Sequence, residues 1–481
     1  MESMNHSIIR YILCRVIELT GVLLLLPVLV SVFYREKQGF VFLFVALCCL
    51  LTGNIGKRMK PKSTVFYARE GFVTVSLSWI VISMIGALPF FLTGEISSYV
   101  DALFETVSGL TTTGGTILND VETLSYTTQF WRCFTHWIGG MGVLVLIMAI
   151  LPLSGSYNMH LMRAESPGPS VGKLVPKVRT TAMILYGIYI VITCSAIIAL
   201  CLSGLPLYES ATLTFSTVGT GGFGVLNSSI ADYSTVTQSI FTVFMILCGV
   251  NFNLYYLFLI RKPKEVFKSE ELRLYLGVLF VSAVLITLNI RGDFKNLYAA
   301  FHHALFQVAS IMTTTGFTTV DFGKWPEFSK TILFLLMLLG ACAGSTGGGF
   351  KVSRLLIAVK SIRNELSYVV HPRSIKKVHM DGRTVPETVI KSTQVYVMTY
   401  VAVYLFSVLA LAIDRFDFAT DFTAVAANLN NIGPCLGQIG PTGNYAGYSV
   451  FSKFVLMFDM LTGRLELFPM LILFSLKTWK R

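Results

Sequence analysis

Thr313-Thr314-Thr315-Gly316-Phe317 decides the fold, because variants of it stand at three other places in the chain. Thr111-Thr112-Thr113-Gly114-Gly115 is nearly a copy, Thr220-Gly221-Gly222-Phe223 keeps the small residues and the Gly-Phe ending, and Asn430-Asn431-Ile432-Gly433-Pro434 is the most divergent. Each follows a short amphipathic run that cannot cross a bilayer, and each precedes a long apolar segment that can. Four such elements predict four pseudo-equivalent units around a common axis, with the Gly-bearing turns lining a cation path.

Composition names the solvent. Of 481 residues 54% are hydrophobic and 13% charged, mean hydropathy is +0.67, and apolar runs of roughly 20 residues, the length that spans a hydrocarbon core, recur along the chain. The fold class expected is an all-α polytopic membrane protein; a closed barrel would show short alternating strands instead. The formal charge of +12 does not indicate nucleic acid, because the basic residues sit in alternate loops. They cluster at Lys57–Lys62, Arg163–Arg179, Arg261–Lys268, Lys351–Arg383 and Lys477–Arg481, whereas Glu95–Glu122 contains no Lys or Arg. That alternation follows the positive-inside rule and predicts cytoplasmic N- and C-termini.

Segments 8–33 and 38–56 read as a helical hairpin appended before the repeats. Each repeat then has an outward helix, a half-span, a Gly-bearing turn and a return helix. The outward helices are predicted at 71–94, 180–204, 272–290 and 388–413. The half-spans are Asp101–Leu110, Tyr208–Val218, Leu297–Met312 and Phe418–Leu429, and the return helices 129–153, 236–260, 328–360 and 449–476. The units implied are 1–66 for the hairpin and 67–156, 157–262, 263–383 and 384–481 for the four repeats.

Runs of ten to fourteen residues suit re-entrant segments, and irregular backbone at membrane depth survives only inside protein or along a watery path. Four parallel half-helices would aim their negative C-terminal ends at one axis, which favours a cation. Glycine lets the following backbone turn its carbonyl oxygens toward that axis, and carbonyl rings substitute for an ion's hydration shell.

Three other features stand out. Ala341–Gly349 interrupts the apolar run 331–358, with six of nine residues Ala or Gly; it reads either as a break in the span or as close packing through small residues. Phe350 stands where a phosphate loop needs Lys, which excludes that motif. Arg464 lies in the last span, two residues from Glu466, a spacing at which helical residues do not face each other; a charge at that depth is functional or paired. Asn251 and Asn253 suit either a pore-side place or interhelical hydrogen bonds, Arg132 and His136 a structural or interfacial role, and His302 and His303 an interfacial place before the third half-span. The nine cysteines read as small buried hydrophobes. No convergent acid–base or zinc set appears, so no enzyme and no organic cofactor are expected.

Having reached Ser108–Gly114, His136–Gly142, Ala343–Gly349, Asn430–Pro434 and Gly463–Glu466 in that order, the chain resembles the Trk/Ktr/HKT superfamily of potassium transporters along essentially its whole length. The resemblance implies four helix–pore-helix–helix units around one pore, and potassium as the transported ion. It implies a filter from Thr112, Thr113, Gly114, Thr220, Gly221, Gly222, Thr314, Thr315, Gly316, Asn431, Ile432 and Gly433, with Gly rather than Ser at 114 as the potassium-preferring version. Thr-Val-Gly-Thr-Gly in the second copy and Pro434 in the fourth depart from the simpler pattern. The resemblance further implies a gate from Gly344, Ser345, Thr346, Gly347, Gly348, Gly349 and Arg464. It also implies a multi-pass place in the bacterial inner membrane, contact with membrane lipid, a homodimer, and a cytoplasmic TrkA-type nucleotide-binding regulatory subunit. A sodium- or proton-coupled symporter on the same fold is the alternative.

Overall fold

A computed structural model describes residues 4–59, 61, 67–142, 145, 178–373 and 376–479. Among the described residues six helices are long and apolar enough to cross a membrane: His6–Tyr34, Gln38–Gly56, Ala68–Leu92, Arg179–Leu202, Glu270–Ile290 and Glu387–Asp414. The first two are the expected hairpin, with only a local irregularity at Leu24, and the other four are the expected outward helices. Lipid-facing positions such as Leu29, Phe40, Leu202, Phe280 and Phe406 are exposed and apolar.

After each outward helix comes a short one: Tyr99–Leu110, Leu207–Val218, Leu297–Met312 and Phe418–Leu429. Their starts are built from ordinary capping chemistry, in which a short polar side chain accepts from an orphan first-turn N–H. Ser98, Asn296 and Asp417 accept from Asp101, Ala299 and Thr420. The second half-helix follows Pro206 instead, and a chain turned by proline can enter a helix without a cap.

The return helices differ from expectation. They cover only Tyr126–Gly140, Thr235–Cys248, Glu327–Leu339 and Val450–Arg464, about 20 Å each at 1.5 Å per residue, too short for the hydrocarbon core. The expected continuous spans 236–260 and 449–476 are therefore broken. The second turns by 88° between Cys248 and Phe252. The fourth ends where Glu466 and Leu467 take left-handed φ of 61° and 65°. The third breaks at Gly340 and resumes at Val352. The expected stretch 146–153 of the first lies outside the described residues.

Apolar composition hid these breaks, because broken and continuous spans are equally hydrophobic. Two of the return helices end in close approach to their own half-helices. A Cβ on Gly139 would overlap the carbonyl oxygen of Leu110, and one on Gly463 that of Leu429. Glycine at these two positions lets the return helix touch the end of its own half-helix.

The N-terminal hairpin is tied to the first repeat rather than merely appended. Glu36, in its turn, accepts from Tyr126 N–H at 2.9 Å, Thr127 N–H at 2.8 Å and the Thr127 hydroxyl at 2.6 Å. Ser125 caps the next amide, that of Thr128. Tyr34 stacks on Tyr126 with centroids 4.2 Å apart, and Tyr208 donates to Tyr126 O at 2.6 Å. An anion on a helix N-terminus that also satisfies two orphan amides contributes about 1–2 kcal/mol. Glu36→Ala is expected to lower the thermal midpoint of the detergent-solubilised protein by a few degrees, with Glu36→Gln falling between. An unchanged midpoint in both would show that the turn contributes nothing to the first return helix.

Candidate functional site

The four half-helices end in the same way. The N–H groups of Thr113, Gly221, Thr315 and Ile432 each reach back to the carbonyl five residues earlier, on Ser108, Ser216, Ser310 and Ala427, all at 2.8 Å. Thr112, Thr220, Thr314 and Asn431 donate to the carbonyls three residues earlier at 3.1–3.2 Å. This pair of bonds is the Schellman ending, and it requires a left-handed residue just past the helix. Here that residue is Thr112, Thr220, Thr314 and Asn431, with φ of 55°, 56°, 59° and 56°.

The sequence singled out only the glycines for unusual backbone dihedrals and not these four. A β-branched residue at positive φ is an outlier, with a strain of about 1–3 kcal/mol. All four are buried. The available signal was the shared spacing: a Thr or Asn two residues before each glycine.

The glycines themselves carry φ of 77°, 81°, 85° and 92° at Gly114, Gly222, Gly316 and Gly433, values at which L side chains are strained. Space excludes a side chain as well. A Cβ on Gly114 would overlap the carbonyl oxygen of Gly221, one on Gly222 that of Thr315, and one on Gly316 that of Ile432. One on Gly433 would stand 2.6 Å from that of Thr113. Each contact leads to the next repeat and the fourth returns to the first, so the turns close a ring. Thr113, Gly221, Thr315 and Ile432 supply its carbonyls. All four glycines line one cavity of about 170 Å³, rimmed by Asn119, Asn227 and Asn444.

Side chains fix the ring from behind. Helix Tyr126–Gly140 turns Gln129, Arg132, Cys133 and His136, one stripe at i, i+3, i+4, i+7, toward the backbone of Phe223–Gly224. Gln129 and Arg132 donate to Gly224 O at 2.8 and 3.0 Å. His136 Nε2 accepts from Phe223 N–H at 3.2 Å, so its Nδ1 carries the proton given to Gly109 O at 2.7 Å. Arg132 and His136 are thus buried structural residues. Between the second and third repeats Ile230 N–H donates to Thr318 O at 3.1 Å. Between the fourth and first, Asn431 Nδ2 donates to Thr113 Oγ1 at 3.0 Å. His302 and His303 lie within the third half-helix rather than before it, bonded to Gln238 and Thr319.

Ala341–Gly349 is irregular and lies directly against two of the turns. Gly348 N–H donates to Thr314 Oγ1 at 2.7 Å, and a Cβ on Gly348 would stand 2.6 Å from Asn430 O. A Cβ on Gly347 would stand 2.8 Å from Thr313 O. The rest of the loop is tied elsewhere. Cys342 N–H donates to Gly249 O, Phe252 N–H to Gly344 O, and Ser345 Oγ to Cys342 O, while Gly349 packs on Gly340. Ala343 N–H and Ser353 N–H both donate to Glu271.

Arg464 closes the assembly from the last return helix. Its guanidinium donates to Thr346 O at 2.8 Å, to Gly139 O and Gly140 O, and to Thr112 Oγ1 at 3.3 Å. Arg464 thus ties the loop to the first return helix. Glu466 faces away from it and pairs with buried Arg354, which lies 3.9 Å from the Tyr396 ring centroid. Asn251 caps its own helix, accepting from Asn253 N–H at 2.9 Å. Below the loop opens a cavity of about 700 Å³, lined by Asn251, Glu271, Gly344, Ser345 and Arg464 among others.

The twelve residues expected at the turns are thus together, and Gly347, Gly348 and Arg464 reach them, whereas Gly344, Ser345, Thr346 and Gly349 contact the helix breaks or the loop itself. Among the described residues no group of three or more His, Cys, Asp or Glu could hold a metal ion. The donors at the turns are backbone carbonyls and threonine hydroxyls, hard oxygen ligands suited to a weakly held cation.

Residues 37–480 match the family described as TrkH, cation transport protein. The potassium uptake protein TrkH of Salmonella typhimurium is 35% identical over 487 residues, with 99% of each chain covered, and that of Vibrio parahaemolyticus is 36% identical over 488 with the same coverage. The crystal structure of the potassium transporter TrkH from Vibrio parahaemolyticus superposes with a TM-score of 0.89 at 33% identity, covering 99% of this chain and 100% of that one. With a full-length likeness in sequence and in three dimensions, the chain belongs to the TrkH family of cation transport proteins.

Proposed function

We propose that this protein takes up potassium across a bacterial inner membrane through the ring formed by Thr112–Gly114, Thr220–Gly222, Thr314–Gly316 and Asn431–Gly433. The single observation that carries this reading is the closure of the four glycine contacts into one ring. Four half-helices meeting at that ring each present the negative end of a helix dipole, worth roughly half an elementary charge, to an ion that has shed its water. The four units, 67–156, 157–262, 263–383 and 384–481, supply one turn each, and the hairpin 1–66 braces the first. Relatives named as potassium uptake proteins, matched from end to end, support potassium as the cargo.

Gating belongs to Ala341–Gly349. The loop abuts the third and fourth turns, and Arg464 pins it to the first return helix. Opening requires those bonds to be exchanged for water. The basic segment Lys351–Arg383 faces the cytoplasm together with both termini, where it meets anionic lipid and a TrkA-type nucleotide-binding subunit. That partner biases the loop, and the transporter works as a homodimer.

Gly316→Ser would place a side chain on the Ile432 carbonyl at a left-handed position. In liposomes holding the purified protein, the K+/Na+ flux ratio should fall by at least tenfold, about 1.4 kcal/mol of discrimination. A wild-type ratio in folded protein would remove the ring from the selectivity mechanism.

Arg464→Met deletes the tethers to Thr346, Gly139 and Gly140. Basal K+ or Rb+ efflux from such liposomes should rise several-fold; a lower basal flux would reverse the role assigned to the loop. Varying Na+ and pH gradients independently tests coupling. Flux that follows the K+ gradient alone supports a pore, and a strict need for Na+ or protons makes it a symporter.

A further inference from the structure

The ring is four-fold in its backbone but not in what stands behind it. Nine residues before the four glycines come Glu105, Leu213, Gln307 and Ala424, and seven residues into the return helices, counted from Ser125, Ser234, Pro326 and Ser449, come Arg132, Phe241, Leu333 and Leu456. All eight are buried. Three of the pairs are apolar or half apolar, and the amide of Gln307 has no hydrogen-bond partner at either end. Only the first repeat places an ion pair there.

That pair is connected to two strands of the ring. Arg132 Nε donates to Glu105 Oε1 at 2.6 Å, with both side chains almost wholly buried. Glu105 also accepts from the Thr116 hydroxyl at 2.9 Å and from Ile117 N–H at 3.1 Å, the segment leaving Gly114. Arg132 Nη1 donates to Gly224 O, in the segment leaving Gly222, and its guanidinium lies 3.6 Å from the Phe223 ring centroid. A buried ion pair is a poor source of stability compared with apolar packing, so its presence at one repeat in four asks for another role.

We propose that Glu105 and Arg132 are positioning residues for ion selection, a strut that locks the first and second strands of the ring at a fixed separation. The proposal rests on the potassium-ring reading above. The pair touches no ion; it acts through the backbone of Thr116–Ile117 and Gly224. The third and fourth strands have no such strut, and it is against these that Gly347 and Gly348 pack. The ring therefore has an ion-paired half and a half in contact with the loop.

Glu105→Gln keeps the shape and removes the charge that holds Arg132. Purified full-length protein in liposomes would be assayed for K+, Rb+ and Na+ flux, with the thermal midpoint measured in parallel. The K+/Na+ ratio should fall by about tenfold, while Arg132→Lys, which retains the charge but loses the fork to Gly224 O, should lie between.

Glu105→Leu combined with Arg132→Phe copies the second repeat, leaves no unpaired charge, and serves if Glu105→Gln does not fold; it too should lower the ratio. Gly316→Ser in the same assay separates the two ideas. If it abolishes selectivity while the Glu105 and Arg132 variants keep the wild-type ratio, the strut is overturned and the ring stands. If none of the variants changes the ratio, the ring reading fails and the strut with it.

Discussion

Irregular backbone held at membrane depth must find a hydrogen-bond partner for nearly every amide, because no lipid will supply one. The Schellman endings of the four half-helices meet that demand, and much of the molecule follows from them. Each ending spends its two amides on its own helix, at 2.8 and 3.1–3.2 Å, which forces the first of the two residues into the left-handed region. The chain accepts Thr112, Thr220, Thr314 and Asn431 there, although glycine would adopt the conformation without strain. All four use their side chains: Thr112 Oγ1 accepts from Arg464 at 3.3 Å, Thr220 Oγ1 donates to Gly219 O at 2.7 Å, Thr314 Oγ1 takes the amide of Gly348, and Asn431 Nδ2 donates to Met460 O at 2.9 Å. Glycine could do none of this, which is a physical reason for tolerating the strain.

The same demand explains the broken return helices. Their C-terminal carbonyls would be left unsatisfied in mid-membrane, and partners come from elsewhere in the bundle. Gly139 O and Gly140 O accept from Arg464, Cys248 O from Thr346 N–H and Gly249 O from Cys342 N–H. Loop and arginine thus complete the backbone of the first and second return helices. A loop held by the bonds that terminate helices has to break them to move.

Much of this architecture was legible in the primary structure. The half-helices Leu297–Met312 and Phe418–Leu429 agree with expectation to the residue, because their apolar runs are too short to span and are bounded by Asn296, Asp417 and the Gly-bearing turns. The six full spans followed from hydropathy alone. The continuity of 236–260 and 449–476 was misread, since hydropathy has no term for direction and a broken helix stays apolar. Gly139 and Gly463 were the visible trace of the breaks, yet a glycine in a span is as often a packing residue as a terminus.

The sequence by itself determined a polytopic helical bundle, the four repeats and the membership of twelve residues in equivalent turns, because length, hydropathy and Gly spacing are local quantities. Tertiary structure alone decided which carbonyl meets which glycine, and that the order closes from the fourth repeat to the first. It also decided that Arg464 spends its guanidinium on Thr346, Gly139 and Gly140, and that Glu105 and Arg132 stand alone among four equivalent sites. These are contacts between residues far apart in the chain. Their geometry depends on how whole helices pack, and no single stretch of sequence carries that information.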